Sequence, residues 1–364
     1  MAGEITVGGN ILASHTGVEG AGSLTLGNTV APAYSHTFRN KIINGNFDIW
    51  QRGTSQTHGG GGYGCVDRWR PGRSNSTIEV YQQSFNLGQT EVPGNPKYYV
   101  REVVTSVSGS GSQAILQHRI EDVSTLSGKT ATLSFWAKAD ETKNIATDFF
   151  QNFGTGGTPS STVYGIGSTT HNLTTSWQKF TTTFSIPSMS GKIIGTDRNH
   201  FAGINFWLEA GSDWDDRTNS LGQQSGTFDI AQVQLEEGPV ATPFEQRPYD
   251  LELSLCQRYY QQLWLSCISR DYNRRAHIFH SLTPNMRKKP TAKVYSGRPE
   301  QTLNKVSYYS SGAEVAVESI SYWQPEIAGV TEGVPIVISY VQCPSGSTFS
   351  TQPLWGRFTF DAEL

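Results

Sequence analysis

Trp214 stands in a polar stretch, with Asp213 before it and Asp215, Asp216, Arg217 and Asn219 after it. A flat indole stacks on the C–H face of a sugar ring, while carboxylates, amides and guanidinium groups pair with the ring's hydroxyls. Trp214, Asp213 and Asp215 therefore read as a saccharide contact. The competing reading makes Trp214 an anchor folded back onto its own domain. Tyr164, in the Gly/Ser/Thr-rich run 154–170, is a second candidate of the same kind. Further along, Tyr308, Tyr309, Tyr322 and Trp323 set rings beside polar neighbours, either for ligand contact or for packing between subunits. Trp50, Trp69 and Trp136 fall inside strand-like runs and Trp177 precedes one, so these four read as packing.

Chemistry of other kinds finds little to work with. A phosphate-binding loop needs a glycine five residues before its Gly-Lys-Thr, and ahead of Gly128-Lys129-Thr130 that position holds Val123. The glycine run 59–64 precedes no helical pattern whose dipole could hold an anion. Carboxylates at 213–216 could ligate Ca²⁺, but Thr218 occupies the position where an EF-hand needs glycine. No cofactor is expected, and a structural Ca²⁺ has no assignable ligands. Glu236 and Glu237 are adjacent in a strand-like run and point to opposite faces, which rules them out as a glycosidase pair. No Gly-x-Ser-x-Gly elbow occurs. The four cysteines form no C-x-x-C pair and read as free thiols. A net charge of −3 supplies no field for nucleic acid, and the one basic run, Arg287-Lys288-Lys289, reads as a solvated turn. No apolar run reaches the ~18 residues that cross a bilayer. The first residues carry no secretory signal, so synthesis in a cytoplasm is expected.

The elements that would position these side chains are mostly strands. Charged residues make up 16% of the chain and glycines number 38, a composition of strands and turns. Period-2 alternation predicts strands over 47–52, 77–84, 97–107, 113–120, 129–138, 178–186, 201–209 and 227–236. In Leu133-Ser134-Phe135-Trp136-Ala137, the residues Leu133, Phe135 and Ala137 share one face and Trp136 lies on the other. Residues 40–247 thus read as one jelly-roll sandwich. Residues 1–39 are too few to bury a core and would stay disordered or order on a partner. A proline-rich linker, 238–248, marks a boundary. Residues 248–364 read as a helix followed by a small β module. The helix is predicted over 250–264, capped by Asp250, with Leu251, Leu255, Tyr259 and Leu263 recurring every four residues along a wide apolar face. Such a stripe asks for a partner, and self-association about a threefold axis would bury it.

The motifs NKIINGNFDIWQRG (40–53), Asp67-Arg68-Trp69, LSFWAKA (133–139), WQKFTTTF (177–184) and FDIAQVQLEEGPVATPFEQRP (228–248), in that order, resemble tail-fibre and virion proteins of tailed bacteriophages that carry a carbohydrate-binding-module-like jelly roll. LELSLCQRYYQ (251–261), SLTPNMRKKPTAKVYS (281–296) and FTFDAEL (358–364) resemble the small module that follows in such fibres. The resemblance implies a homotrimeric, non-enzymatic adhesion protein of the virion. Residues 1–39 would dock to a baseplate or other virion protein, and residues 248–364 would form the tip that meets a host-surface saccharide. It carries over no catalytic residue. A capsid-decorating or head-fibre protein shares the same expected sandwich, and a polysaccharide depolymerase is the enzymatic alternative.

Overall fold

The computed structural model describes residues 38–58, 62–267, 269–270, 275–288, 290–296, 305–308, 314–316, 319–323, 337–342 and 354–364, together with four strands before residue 38. Contacts divide the chain into Met1–Asn40 and Lys41–Leu364. The first unit is an antiparallel meander of β1 (Gly3–Val7), β2 (Asn10–His15), β3 (Leu24–Leu26) and β4 (Thr29–Ala31), paired in that order.

The second unit is built on a two-layer sandwich. Its strands are β5 (Ser55–His58), β6 (Trp69–Ser74), β7 (Thr77–Ser84), β8 (Tyr98–Thr105), β9 (Gln113–Glu121), β10 (Thr130–Ala139), β11 (Lys143–Asn152), β12 (Val163–Leu173), β13 (Gln178–Ser185), β14 (Phe201–Ala210) and β15 (Gly226–Glu237). One sheet has the order β13-β10-β15-β8-β7-β5 and the other β12-β11-β14-β9-β6, antiparallel throughout. Alternate residues of both sheets meet in one core, where Leu133, Phe135 and Ala137 join Trp69, Phe149, Phe184, Phe206 and Phe228. Trp136 lies on the other face with Trp177, as the alternation predicts.

The expected strand at 47–52 is not formed. Asn44 and Phe47 take left-handed backbone (φ 59° and 56°), which bends the segment into a turn. The Asn44 amide does the work of a neighbouring strand, donating to the Ile49 carbonyl at 2.9 Å and to the Asp67 carbonyl at 3.0 Å, and accepting from the Ile49 N–H at 3.0 Å. The segment still flanks β15, through Lys41 N–H to the Leu235 carbonyl and Val233 N–H to the Gly45 carbonyl, both 2.8 Å.

The proline-rich run 238–248 lies back across β15 as a strap. The Thr242 N–H and hydroxyl donate to the Glu236 carboxylate at 2.8 and 2.7 Å, and the Glu245 N–H donates to the Gln234 side chain at 2.7 Å. After a 3₁₀ turn at Ser212–Trp214, a single helical turn α1 (Asp215–Thr218) precedes β15; α2 (Tyr249–Gln257) follows the strap. The helix expected over 250–264 is thus shorter. Pro248 is its N-cap, no side chain caps it, and strand β16 (Tyr260–Cys267) begins three residues after its end. The four-residue stripe is cut: Leu251 and Leu255 are half-buried on α2, Tyr259 is buried between the two elements, and Leu263 is half-buried on β16. β16 opens a module that continues through β17 (Ser269–Arg270), β18 (Arg275–Ser281), β19 (Thr291–Ser296), β20 (Lys305–Tyr308), β21 (Glu314–Ala316), β22 (Ser319–Trp323), β23 (Val337–Gln342) and β24 (Leu354–Asp361). β16 and β19 flank β24, while β17, β18, β23 and β22 form a second sheet.

Candidate functional site

Two groups of polar side chains stand out, and the first is a junction rather than a site. Gln51, Arg52, Asp67, Arg68, Tyr259, Tyr260 and Glu363 come from four of the motifs that carry the family resemblance, and they converge here. Arg68 is buried, ion-paired with Glu363, and stacks at 3.5 Å on the Tyr259 ring. Arg52 reaches Glu363 at 3.2 Å and Asp67 at 3.5 Å, over the Tyr260 ring at 3.6 Å. Burial pushes the Asp67 carboxyl up to about 6, against the pull of Arg52. The Tyr259 hydroxyl donates to Glu121 at 2.6 Å, and Arg258 pairs with the same carboxylate at 2.8 Å. Burial alone would raise the Glu121 pKa, but Arg258 and Tyr259 hold it below its usual range. Arg287, expected in a solvated turn, is buried; its Nε donates to the Ala362 carbonyl at 3.2 Å. Every charge here faces an opposite charge or a carbonyl from its own chain, so the junction holds the C-terminal module to the sandwich.

The second group covers the outer face of the five-stranded sheet. Register places Asp148 (β11), Asn205 (β14), Gln117 (β9) and Arg70 (β6) side by side in one row across four strands. The Asn205 amide donates to Asp148 at 2.8 Å, Gln117 donates to Asn205 at 2.8 Å, and Arg119 Nε donates to Gln117 at 2.7 Å. Asp148 also accepts from the Trp207 indole at 2.7 Å, the Gly165 N–H at 3.1 Å and Arg217 Nε at 3.2 Å. This buried carboxylate fixes Arg217, whose guanidinium lies 4.2 Å from the Tyr164 ring and 4.7 Å from that of Trp207.

Beside the polar row runs a pavement of rings. Tyr164, 52% exposed, stacks on Phe150 at 6.0 Å, and Phe150 meets Phe201 edge-on at 5.8 Å. Gly203 is required beneath it, since a Cβ there would fall 2.6 Å from the Phe150 ring. Arg119 closes the pavement, 4.4 Å over Phe201. Burial draws the Arg119 pKa down, and Arg70 and Arg68 add their repulsion. Of the three rings Tyr164 is the exposed one; Phe150 and Phe201 are buried, as are Asp148, Asn205 and Gln117, so a sugar ring would stack on Tyr164 and its hydroxyls would meet the half-buried Arg217, Arg119 and Arg70.

Two of the sequence candidates meet here. Tyr164 and Trp214 lie fifty residues apart in the chain and flank the same guanidinium, Arg217, at 4.2 and 5.8 Å. Trp214 is half-buried and folds back onto Trp207 at 5.5 Å, so the anchor reading describes it better than free exposure. Asp213 is exposed and takes the Ser110 hydroxyl at 3.1 Å; Asp215 is half-buried. Among the described residues, no three carboxylate, histidine or cysteine side chains gather as for a metal. Tyr308 lies on β20, and Tyr322 and Trp323 on β22, with side chains outside the described residues; Tyr309 is outside them altogether. Sequence reasoning passed over Asp148, Asn205, Gln117, Arg70 and Arg119. Gln117 and Asn205 were findable as polar residues at outward positions of predicted strands. Asp148 was not, because β11 was not predicted. The six-stranded sheet carries a different feature, a cleft of about 640 Å³ between Trp136, Lys179, Gln232 and the strap residues Thr242, Pro243 and Phe244.

The chain matches no protein-family model and no curated protein sequence. Among solved structures, it is similar to the enzymatically active domain of tailspike protein 4 of bacteriophage CBA120, at 16% identity and a TM-score of 0.32, over 55% of this chain and 22% of that one. It is also similar to the xylan-binding domain CBM22-1 of Paenibacillus barcinonensis Xyn10C, at 11% identity and a TM-score of 0.30, over 54% and 93% of the two chains. A third is the family 11 carbohydrate-binding module of Clostridium thermocellum in complex with a β-1,3-1,4-mixed-linked tetrasaccharide, at 13% identity and a TM-score of 0.31, over 50% and 95%. The match thus spans about a fifth of the tailspike chain and nearly all of each module. The mainly β sandwich itself rests on the strand order and register described above.

Proposed function

We propose that this is a non-enzymatic adhesion protein that binds a saccharide on the outer face of its five-stranded sheet. The observation that carries this reading is the hydrogen-bonded row Asp148–Asn205–Gln117–Arg119 lying beside the ring pavement of Tyr164, Phe150 and Phe201. A sugar needs both: a flat apolar surface for its C–H face and fixed polar groups for its hydroxyls. Tyr164 supplies the exposed ring, and Arg217, held by Asp148, keeps that ring in place.

The order of the sequence motifs supports placing this module in a phage tail fibre, with residues 1–39 docked to a baseplate or other virion protein. A homotrimer fits the same reading. Its contacts would fall on Leu251, Leu255 and Leu263, since Tyr259 is spent inside the chain. Light scattering at micromolar concentration tests the trimer.

Binding is tested by screening the full chain against an array of host-surface oligosaccharides, with Tyr164→Ala alongside. Specific binding lowered about ten-fold or more by the substitution is expected, since a sugar–ring stack contributes on the order of a kcal/mol or two. Binding that ignores Tyr164→Ala, or release of reducing ends from the polysaccharide, defeats the reading; the second result would favour a depolymerase.

A further inference from the structure

The outer face of the six-stranded sheet carries an opening of another kind. Between that sheet and the strap 238–248 lies the cleft of about 640 Å³, a volume within the range of small-ligand sites. One wall is the half-buried Trp136 on β10, and the opposite one is Pro243 and Phe244 of the strap. Thr242 and Glu245 tie the strap to Glu236 and Gln234, so the cleft stands open before any ligand arrives. Strand β15 is distorted at this spot. Ser134 pairs with Gln234 and Trp136 with Ala231, so Gln232 and Val233 together face the single Phe135. Val233 enters the core, and the bulge turns Gln232 to the outer face with Ala231. Gln232 takes φ 47°, the one positive φ outside glycine within a strand among the described residues. Such strained backbone gathers at binding sites. The Gln232 side chain is buried, and its nitrogen donates to the Pro93 carbonyl at 2.7 Å. Its side-chain oxygen and the Trp136 indole N–H have no hydrogen-bond partner among the described residues.

We propose that this cleft is a second saccharide site and that it takes N-acetylated sugars, with an acetamido group between Trp136 and Phe244 donating its N–H to the Gln232 side-chain oxygen. The site lies on the opposite sheet from the face proposed above and does not depend on it. A plain sugar carries hydroxyls all round, whereas the walls here are mostly carbon, from Trp136, Pro93, Ala241, Pro243 and Phe244. An acetamido group adds a methyl, which gains by leaving water against such walls, and an amide N–H that needs an acceptor. Lys179 is the one charge among the described residues that line the cleft, and it is exposed. A single flexible ammonium fixes an anion poorly, and without a carboxylate the cleft has no seat for a cation.

The test is calorimetric titration of the full chain with N,N′,N″-triacetylchitotriose and with cellotriose, which has the same linkage and a hydroxyl in place of each acetamido group. We expect the acetylated sugar to bind about ten-fold or more tightly than cellotriose, and Trp136→Ala and Phe244→Ala each to weaken it about ten-fold. Trp136 also packs against the Trp177 cluster, so circular dichroism checks the fold of that variant. Phe244 stands on the strap, outside both sheets, and carries the test should Trp136→Ala fail to fold. Equal binding of the two sugars overturns the acetamido seat. No binding of triacetylchitotriose, or binding that survives Phe244→Ala, overturns the cleft and leaves the five-stranded face standing. Binding lost with Tyr164→Ala and kept with Phe244→Ala puts the sugar on the five-stranded face, which overturns the cleft and supports the first reading.

Discussion

Arg68 and Arg70 flank Trp69, two residues apart, and they end in opposite circumstances. Arg68 turns into the junction, where Glu363 and the Tyr259 ring enclose it. Arg70 lies on the sheet face, where none of the described residues neutralises it. The difference follows from burial. A fully enclosed ionisable group either brings its counter-charge from the same chain or gives up its charge, and an arginine can do only the first. A charge that keeps some water can be left unsatisfied, and that opening is what a ligand needs. The junction is thus paired and structural, while on the sheet face Arg70 and Tyr164 keep contact with water.

Breaking that contrast is straightforward. The largest effect is expected from Arg68→Met, which removes one of the two partners of the buried Glu363, the stack on Tyr259 and the bond to the Arg119 carbonyl; a loss of about 3–5 kcal/mol in urea denaturation is expected, and a loss under about 1 kcal/mol would show the junction to be expendable. Glu102 shows what an enclosed charge without a partner costs. It is fully buried on β8, neither carboxylate oxygen has a partner, and burial pushes its carboxyl up to about 8. Its folded value lies above its unfolded one, so its contribution is complete below about pH 4.5 and fades as pH rises toward 8. Glu102→Leu should therefore gain on the parent as pH rises, reaching about 2–4 kcal/mol at pH 8. An advantage equal at pH 5 and pH 8 would contradict this. Asp148→Asn should cost about 1–3 kcal/mol and release Arg217, altering Trp207 fluorescence. Arg70→Gln should change stability by less than about 0.5 kcal/mol; a larger loss would mean that Arg70 is structural after all.

Much of the sandwich was legible in the sequence because its inner strands alternate cleanly. Thr77–Ser84 and Gln178–Ser185 were placed within a residue or two, from side chains buried at every second position. Lys143–Asn152 escaped notice because both its faces are buried, so Asp148 and Phe150 interrupt the expected apolar-polar rhythm. Val163–Leu173 escaped because Gly165 and Gly167 read as a loop; both take positive φ on an edge strand. The over-long helix had a different cause. Tyr259, Tyr260 and Leu263 fit a 3.6-residue period by spacing, but Tyr259 is drawn to Arg68 and Glu121, and β24 offers Tyr260 onward a strand to pair with. Long-range partners overrode local pattern there. The candidate site was half-visible: Tyr164 and the stretch around Trp214 were found, while the row between them depends on strand register, which no single segment reveals.

The pairing of Arg68 with Glu363 also says something about biosynthesis. The two residues are separated by 295 positions, so a ribosome must deliver nearly all of the segment between them before the guanidinium meets its counter-ion. Until then the strand that carries Trp69 has an unanswered charge at its entrance. Closure of such distant contacts is slow. Nascent chains halted before residue 363 should therefore emerge with a loosened sandwich edge, open to proteases that the finished molecule resists.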